Sequence, residues 1–165
     1  MFDDTNLRNA QKGALIISFA FFFSLVIYAA LVEFFLGDLN LGTGSPVIGY
    51  LKYIFIAFAA VEVVLMLIIK NRILSGETKF IHQPELEKDL PKPDEGEFIN
   101  RLRLAHIITY AFCESIAIYG LILFILEKDK TIFYAFLGIS LFLMLVHFPK
   151  YEDWKSRLEE FLSEA

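Results

Sequence analysis

Four long apolar runs constrain this chain more than any other feature of its 165 residues. A helix needs roughly 20 apolar residues to cross the ~30 Å hydrocarbon core of a bilayer. The runs extend over about Gly13–Leu36, Val47–Ile69, Leu102–Leu126 and Thr131–Phe148. Gly37–Pro46 reads as a loop, Glu127–Lys130 as a charged turn, and Pro149 stops the fourth run. Lipid cannot satisfy a free backbone N–H, so only helices and closed barrels span it. These runs do not alternate, and four strands are too few to close a barrel. The expectation is an all-α integral membrane protein in which residues 1–165 form one membrane domain with four spans. Residues 70–101 form a cytoplasmic loop and 149–165 a cytoplasmic tail. The first run is too long for a signal-peptide core and lacks an Ala-x-Ala site, so it reads as an uncleaved span.

Composition supports this. The chain is 56% hydrophobic and contains 18 Phe, more than a single soluble core of this size can bury. A net charge of −5 argues against nucleic acid as a partner. The single cysteine, Cys113, allows no intramolecular disulfide.

Orientation follows from Lys and Arg, which concentrate on the cytoplasmic side of short loops. Arg8 and Lys12 precede the first span. Lys70, Arg72, Lys79, Lys88, Lys92, Arg101 and Arg103 lie between the second and third, and Lys150, Lys155 and Arg157 follow the fourth. Only Lys52, Lys128 and Lys130 fall on the other side. Both termini and the central loop are therefore expected in the cytoplasm. The stretch Gln83–Glu97, rich in Pro and acid, reads as extended, loosely ordered or shaped by a partner. After Pro149, Trp154, Leu158, Phe161 and Leu162 recur at helical spacing among Glu152, Asp153, Glu159 and Glu160. They describe an amphipathic helix, either on the membrane surface or docked on the protein's own cytoplasmic side.

The spans repeat. Ile16–Val32 aligns without gaps to Ile107–Leu123, with identities at Ile16/Ile107, Ala20/Ala111, Phe21/Phe112, Ser24/Ser115, Ile27/Ile118 and Tyr28/Tyr119. Ile54–Leu67 aligns to Ile132–Leu145, with Phe55/Phe133, Ala57/Ala135, Phe58/Phe136 and Met66/Met144 among the identities. The reading is two related hairpins in parallel orientation, packed as a four-helix bundle about an axis along the membrane normal. Small residues should mark its close contacts: Ala20, Ser24, Ala57, Ala60, Ala111, Ser115, Ala117 and Gly138.

The repeat breaks at charge. Glu114 stands where the first copy has Phe23, and Glu62 where the second has Ser140. A carboxylate in mid-span costs about 2.5 kcal/mol or more and normally faces a partner or a cavity. At ~1.5 Å per residue the two depths differ by roughly 5–8 Å, close enough to share a site. Like charges so placed hold a proton or a cation between them. Tyr110, Ser115, Tyr119 and Ser140, with Thr109, would complete a polar shell. The structural alternative is a neutral Glu hydrogen-bonded between helices. Glu33, near the outer end of its span, is expected at the interface.

His82, His106 and His147 all fall on the cytoplasmic side. Paired histidines in a helical bundle can ligate haem, which makes His106 and His147 haem candidates. The plainer reading is two separate interfacial histidines. No metal cluster and no catalytic motif is visible.

The stretch Ala111–Phe124, AFCESIAIYGLILF, resembles the carboxylate helix of the rotary ATPase proteolipids, the c subunits. The vacuolar-type members are fused double hairpins. The resemblance implies an ion-carrying role for Glu114, although proteolipids carry that residue on the second helix of a hairpin, where Glu62 stands. The chain is also similar to small uncharacterised four-span membrane proteins of bacteria, which implies a bacterial or archaeal inner or plasma membrane. The leading expectation is a non-catalytic subunit or accessory protein that partners other membrane-protein subunits or itself. The alternatives are a proton or cation conductor using Glu62 and Glu114, and a haem- or quinone-binding anchor.

Overall fold

A computed structural model describes residues 4–35, 46–75 and 95–164. Five helices account for nearly all of them: α1 (Asp4–Ala30), extended by a π-helical turn at Leu31–Phe35, α2 (Pro46–Ser75), α3 (Glu95–Glu127), α4 (Lys130–Val146) and α5 (Tyr151–Glu164). The described residues include no strand. The Gly-rich loop from Gly37, His82 and the middle of the expected 70–101 loop lie outside the described residues.

The helices outrun the expected spans. α1 begins at Asp4, α2 continues to Ser75 and α3 starts at Glu95. At ~1.5 Å per residue, the 33 residues of α3 are roughly 50 Å long, well beyond a ~30 Å hydrocarbon core. The surplus turns are built for it. Glu95 and Glu97 occupy the first turn of α3, where carboxylates suit the helix dipole. Leu7 and Ala14 of α1, Phe98, Ile99 and Leu102 of α3, and Trp154 and Leu158 of α5 form one buried cluster, against which Leu74 of α2 packs. The amphipathic tail thus docks on the protein itself, with Leu158 fully buried. This assembly will be called the termini end.

α1, α2 and α3 are each long and apolar enough to cross a membrane. α4 has 17 residues, at the short end for a span. By length and composition the described residues hold three such helices, or four if α4 and α5, bent by 54° at their junction, count as one span. The surface agrees. Phe23, Ile56, Phe58, Val61, Val64, Phe142 and Val146 are all more than half exposed, an apolar exterior rarely seen in soluble monomers.

α3 is the central element, packed on α1, α2, α4 and α5. Its closest approach is to α4. A Cβ on Gly120 would lie 2.6 Å from Phe136 Cβ and 3.2 Å from the Phe133 carbonyl oxygen. Of the expected small contacts, Ala117 is buried and Ser24 and Ser115 are half-buried, but Ala20, Ala57, Ala60, Ala111 and Gly138 face outward. α3 is buried on several sides while its neighbours are not, so the small residues of α1, α2 and α4 find no second helix; Ala111 lies on the open side of α3. The α3–α4 turn is closed by Lys128 in the left-handed region (φ 60°) and by Asp129, whose side chain accepts from the backbone N–H of Thr131 and Ile132. At the opposite end, Gln11 of α1 donates to the carbonyl of Pro149 (3.2 Å), fixing the elbow between α4 and α5.

Candidate functional site

The two mid-span carboxylates lie at one level of α3 and are held separately. Glu62 reaches from α2 to α3, where Tyr119 donates to Oε1 (2.5 Å) and Ser115 to Oε2 (2.6 Å). The Phe55 ring stacks on Tyr119, with centroids 5.1 Å apart. Glu114 projects from α3 toward α1, where Tyr28 donates to Oε1 (2.8 Å). Positions 114 and 115 are ~100° apart around a helix of 3.6 residues per turn, so the two clasps use different sides of α3. The expected polar shell divides accordingly. Ser115 and Tyr119 serve Glu62. Tyr110 instead donates to the Met144 carbonyl (2.9 Å) and Ser140 to the Cys113 carbonyl (2.5 Å), two bonds that tie α3 to α4. Thr109 donates to the Ala105 carbonyl of its own helix. Glu33, at the far end, takes Lys130 Nζ and the Tyr134 hydroxyl, both at 2.7 Å. The π-helical turn that carries Glu33 sits beside the α3–α4 turn through these bonds.

A second site lies at the termini end. α2, α3, α5 and the α4–α5 elbow enclose a cleft of about 430 Å³. His106 and His147 both line it, together with Lys70, Lys150, Arg157, Asp153 and Trp154. Each imidazole uses one ring nitrogen. The Ser18 hydroxyl donates to the Ala14 carbonyl, so it accepts from His106 Nε2–H at 2.8 Å. His147 Nδ1 donates to the Leu143 carbonyl at 2.9 Å. Nδ1 of His106 and Nε2 of His147 are left as lone-pair acceptors.

No protein-family model, curated protein or solved structure matches the chain.

The carboxylate clasps join helices. The cleft offers cations, an indole and two imidazoles beside an apolar wall. Among the described residues no group of three or more His, Cys, Asp or Glu is placed to hold a metal ion. Cys113 is buried, with Sγ 4.0 Å from the Met66 sulfur. The sequence named Glu62, Glu114, Ser115, Tyr119, His106 and His147 as candidates; the structure brings Ser115 and Tyr119 to Glu62 and both histidines to the cleft. Sequence reasoning passed over Tyr28 as a partner, although its alignment with Tyr119 was the available signal. It also passed over Lys70, which counted only as one of the basic residues between the second and third spans.

Proposed function

We propose that the chain is a non-catalytic integral membrane subunit, built from two related hairpins, whose mid-span carboxylates lock its helices together. One observation supports this reading: each carboxylate accepts from a hydroxyl of a neighbouring helix, Glu114 from Tyr28 of α1 and Glu62 from Ser115 and Tyr119 of α3. A neutral or charged Glu so held is an interhelical bolt. Larger chains or further copies of this one would cover its apolar flank, above all α2.

Duplication is supported by contacts as well as by letters. Every buried residue of α1 and its π-helical turn, Leu7, Ala14, Ser18, Leu25 and Val32, aligns with a buried residue of α3: Phe98, Ala105, Thr109, Ile116 and Leu123. Ser18 and Thr109 donate to the aligned carbonyls of Ala14 and Ala105, and Ser24 to that of Phe21, while Ser115 shares its one proton between the aligned Phe112 carbonyl and Glu62. Tyr28 of one copy clasps the Glu of the other, and Tyr119 returns the bond. The basic residues support a cytoplasmic termini end.

The test is proton flux into proteoliposomes, read beside native mass analysis of the gently solubilised protein. A subunit should add no flux and should carry stoichiometric larger chains or copies of itself. Glu62→Gln and Glu114→Gln should keep the fold, because Gln retains a hydrogen bond to the hydroxyl. Proton flux through the wild type that either Gln variant abolishes would establish conduction instead. That second reading draws on one observation: Oε2 of Glu114 has no partner among the described residues.

A further inference from the structure

The cleft at the termini end contains a half-buried cation, Lys70, that forms no hydrogen bond or ion pair among the described residues; its electrostatic neighbours are Arg157 and Asp153. Taking an ammonium partly out of water without a counter-charge is costly, and the cost falls when an anion takes the water's place. Lys150 and Arg157 are exposed on the same cleft and likewise form no ion pair. Asp153 and Glu160 also line it, so cations exceed acids by one. Neither acid approaches a cleft cation closely enough to pair, since the ion pair of α5 is Lys155 with Glu159. His106 and His147 bring no fixed negative charge.

The position narrows the anion. Lys70 is the first charge after the apolar run of α2, at the level where a lipid headgroup sits. Trp154, buried at the base of α5, is a residue type enriched at that level. Apolar residues also line the cleft, from Val146 at the end of α4 to Phe148 and Pro149 of the elbow. Val146 is itself more than half exposed toward the space an acyl chain would occupy. Basic pockets between membrane helices on the cytoplasmic side suit phosphate headgroups. We infer that this cleft is a binding site for a phosphate anion, supplied by the headgroup of an anionic phospholipid, with Lys70 and Arg157 as its main contacts and Val146 and Phe148 flanking its chain.

The test is native mass spectrometry of the full chain, titrated with phosphatidylglycerol, phosphatidylcholine or inorganic phosphate. Phosphatidylglycerol adducts should form at lower concentration than phosphatidylcholine adducts. Lys70→Gln and Arg157→Gln should each weaken them about fivefold, the effect of one cation at a membrane surface, while Lys70→Arg should retain them. Arg157 is exposed and unpaired, so its variant keeps the test open should Lys70→Gln fail to fold. Competition by millimolar inorganic phosphate would uphold the phosphate site and assign it to free phosphate. Equal retention of both lipids, unchanged by either Gln variant, would overturn the inference. None of these outcomes depends on the roles of Glu62 and Glu114.

Discussion

Glu114 relies on one hydroxyl, that of Tyr28, whereas Glu62 has two, those of Ser115 and Tyr119. Interhelical hydrogen bonds within a membrane average about 0.6 kcal/mol and reach about 1.7 kcal/mol, because the separated helices also find partners. Tyr28→Phe removes the single donor and should destabilise by about 1 kcal/mol. Tyr119→Phe leaves Ser115 in place and should cost less, despite the shorter bond it deletes. Reversible unfolding in mixed micelles measures both, and the opposite order would mean that the clasps are not the bolts described. A double-mutant cycle of Tyr28→Phe with Glu114→Gln isolates the pair and should show coupling. Much of this was readable in advance, since a mid-span Glu must find a donor and Ser115 and Tyr119 lay within reach of the repeat. The reversed destinations of Tyr110 and Ser140 were not readable. Both sit on the α3–α4 contact, and only the crossing of those helices decides whether a hydroxyl meets a carboxylate or a carbonyl.

The crossing itself is set by glycine, at a position the sequence did not advertise. Gly138 stands in α4 opposite nothing within 4 Å, while Gly120 of α3 admits Phe136 and the Phe133 carbonyl against its bare backbone. In an exposed helix interior, Gly→Ala is worth about 1 kcal/mol in favour of Ala. Gly138→Ala should therefore be neutral or stabilising by up to that amount. Gly120→Ala should destabilise, since the atoms it meets belong to the root of a side chain and to the backbone and can yield only if the helices part. Thermal unfolding of the two variants in one detergent checks the contrast, and equal behaviour would show that α3 and α4 can separate freely. Hydropathy located the apolar runs of all four long helices but not their ends. Apolar runs stop where lipid stops, whereas α1 and α3 continue through sparser patterns such as Leu7, Ala10 and Ala14, or Phe98, Ile99 and Leu102. Those residues have meaning only when α5 is there to cover them.

That cover organises the molecule as a whole. The termini end is a small water-facing core, where burial of Leu7, Phe98, Trp154 and Leu158 draws on the hydrophobic effect. The membrane part lacks that driving force between helices and relies on close packing and hydroxyl bonds. The division fits the charge pattern, because most of the basic residues flank the termini end, while a neutral Glu33–Lys130 pair lies at the other. The proposed orientation can be tested directly on this geometry. Cys113 is the single cysteine and is buried, so Cys113→Ala gives a background without reactive thiol. Thr131 and Ser163 are both exposed, the first at the α3–α4 turn and the second at the end of α5. In that background, Thr131→Cys should react with a membrane-impermeant maleimide on intact cells, and Ser163→Cys should react only after the membrane is opened. The converse pattern would place the termini end outside. The phosphate cleft would then face the outer leaflet, and Lys70 and Arg157 would be reading a different set of lipids.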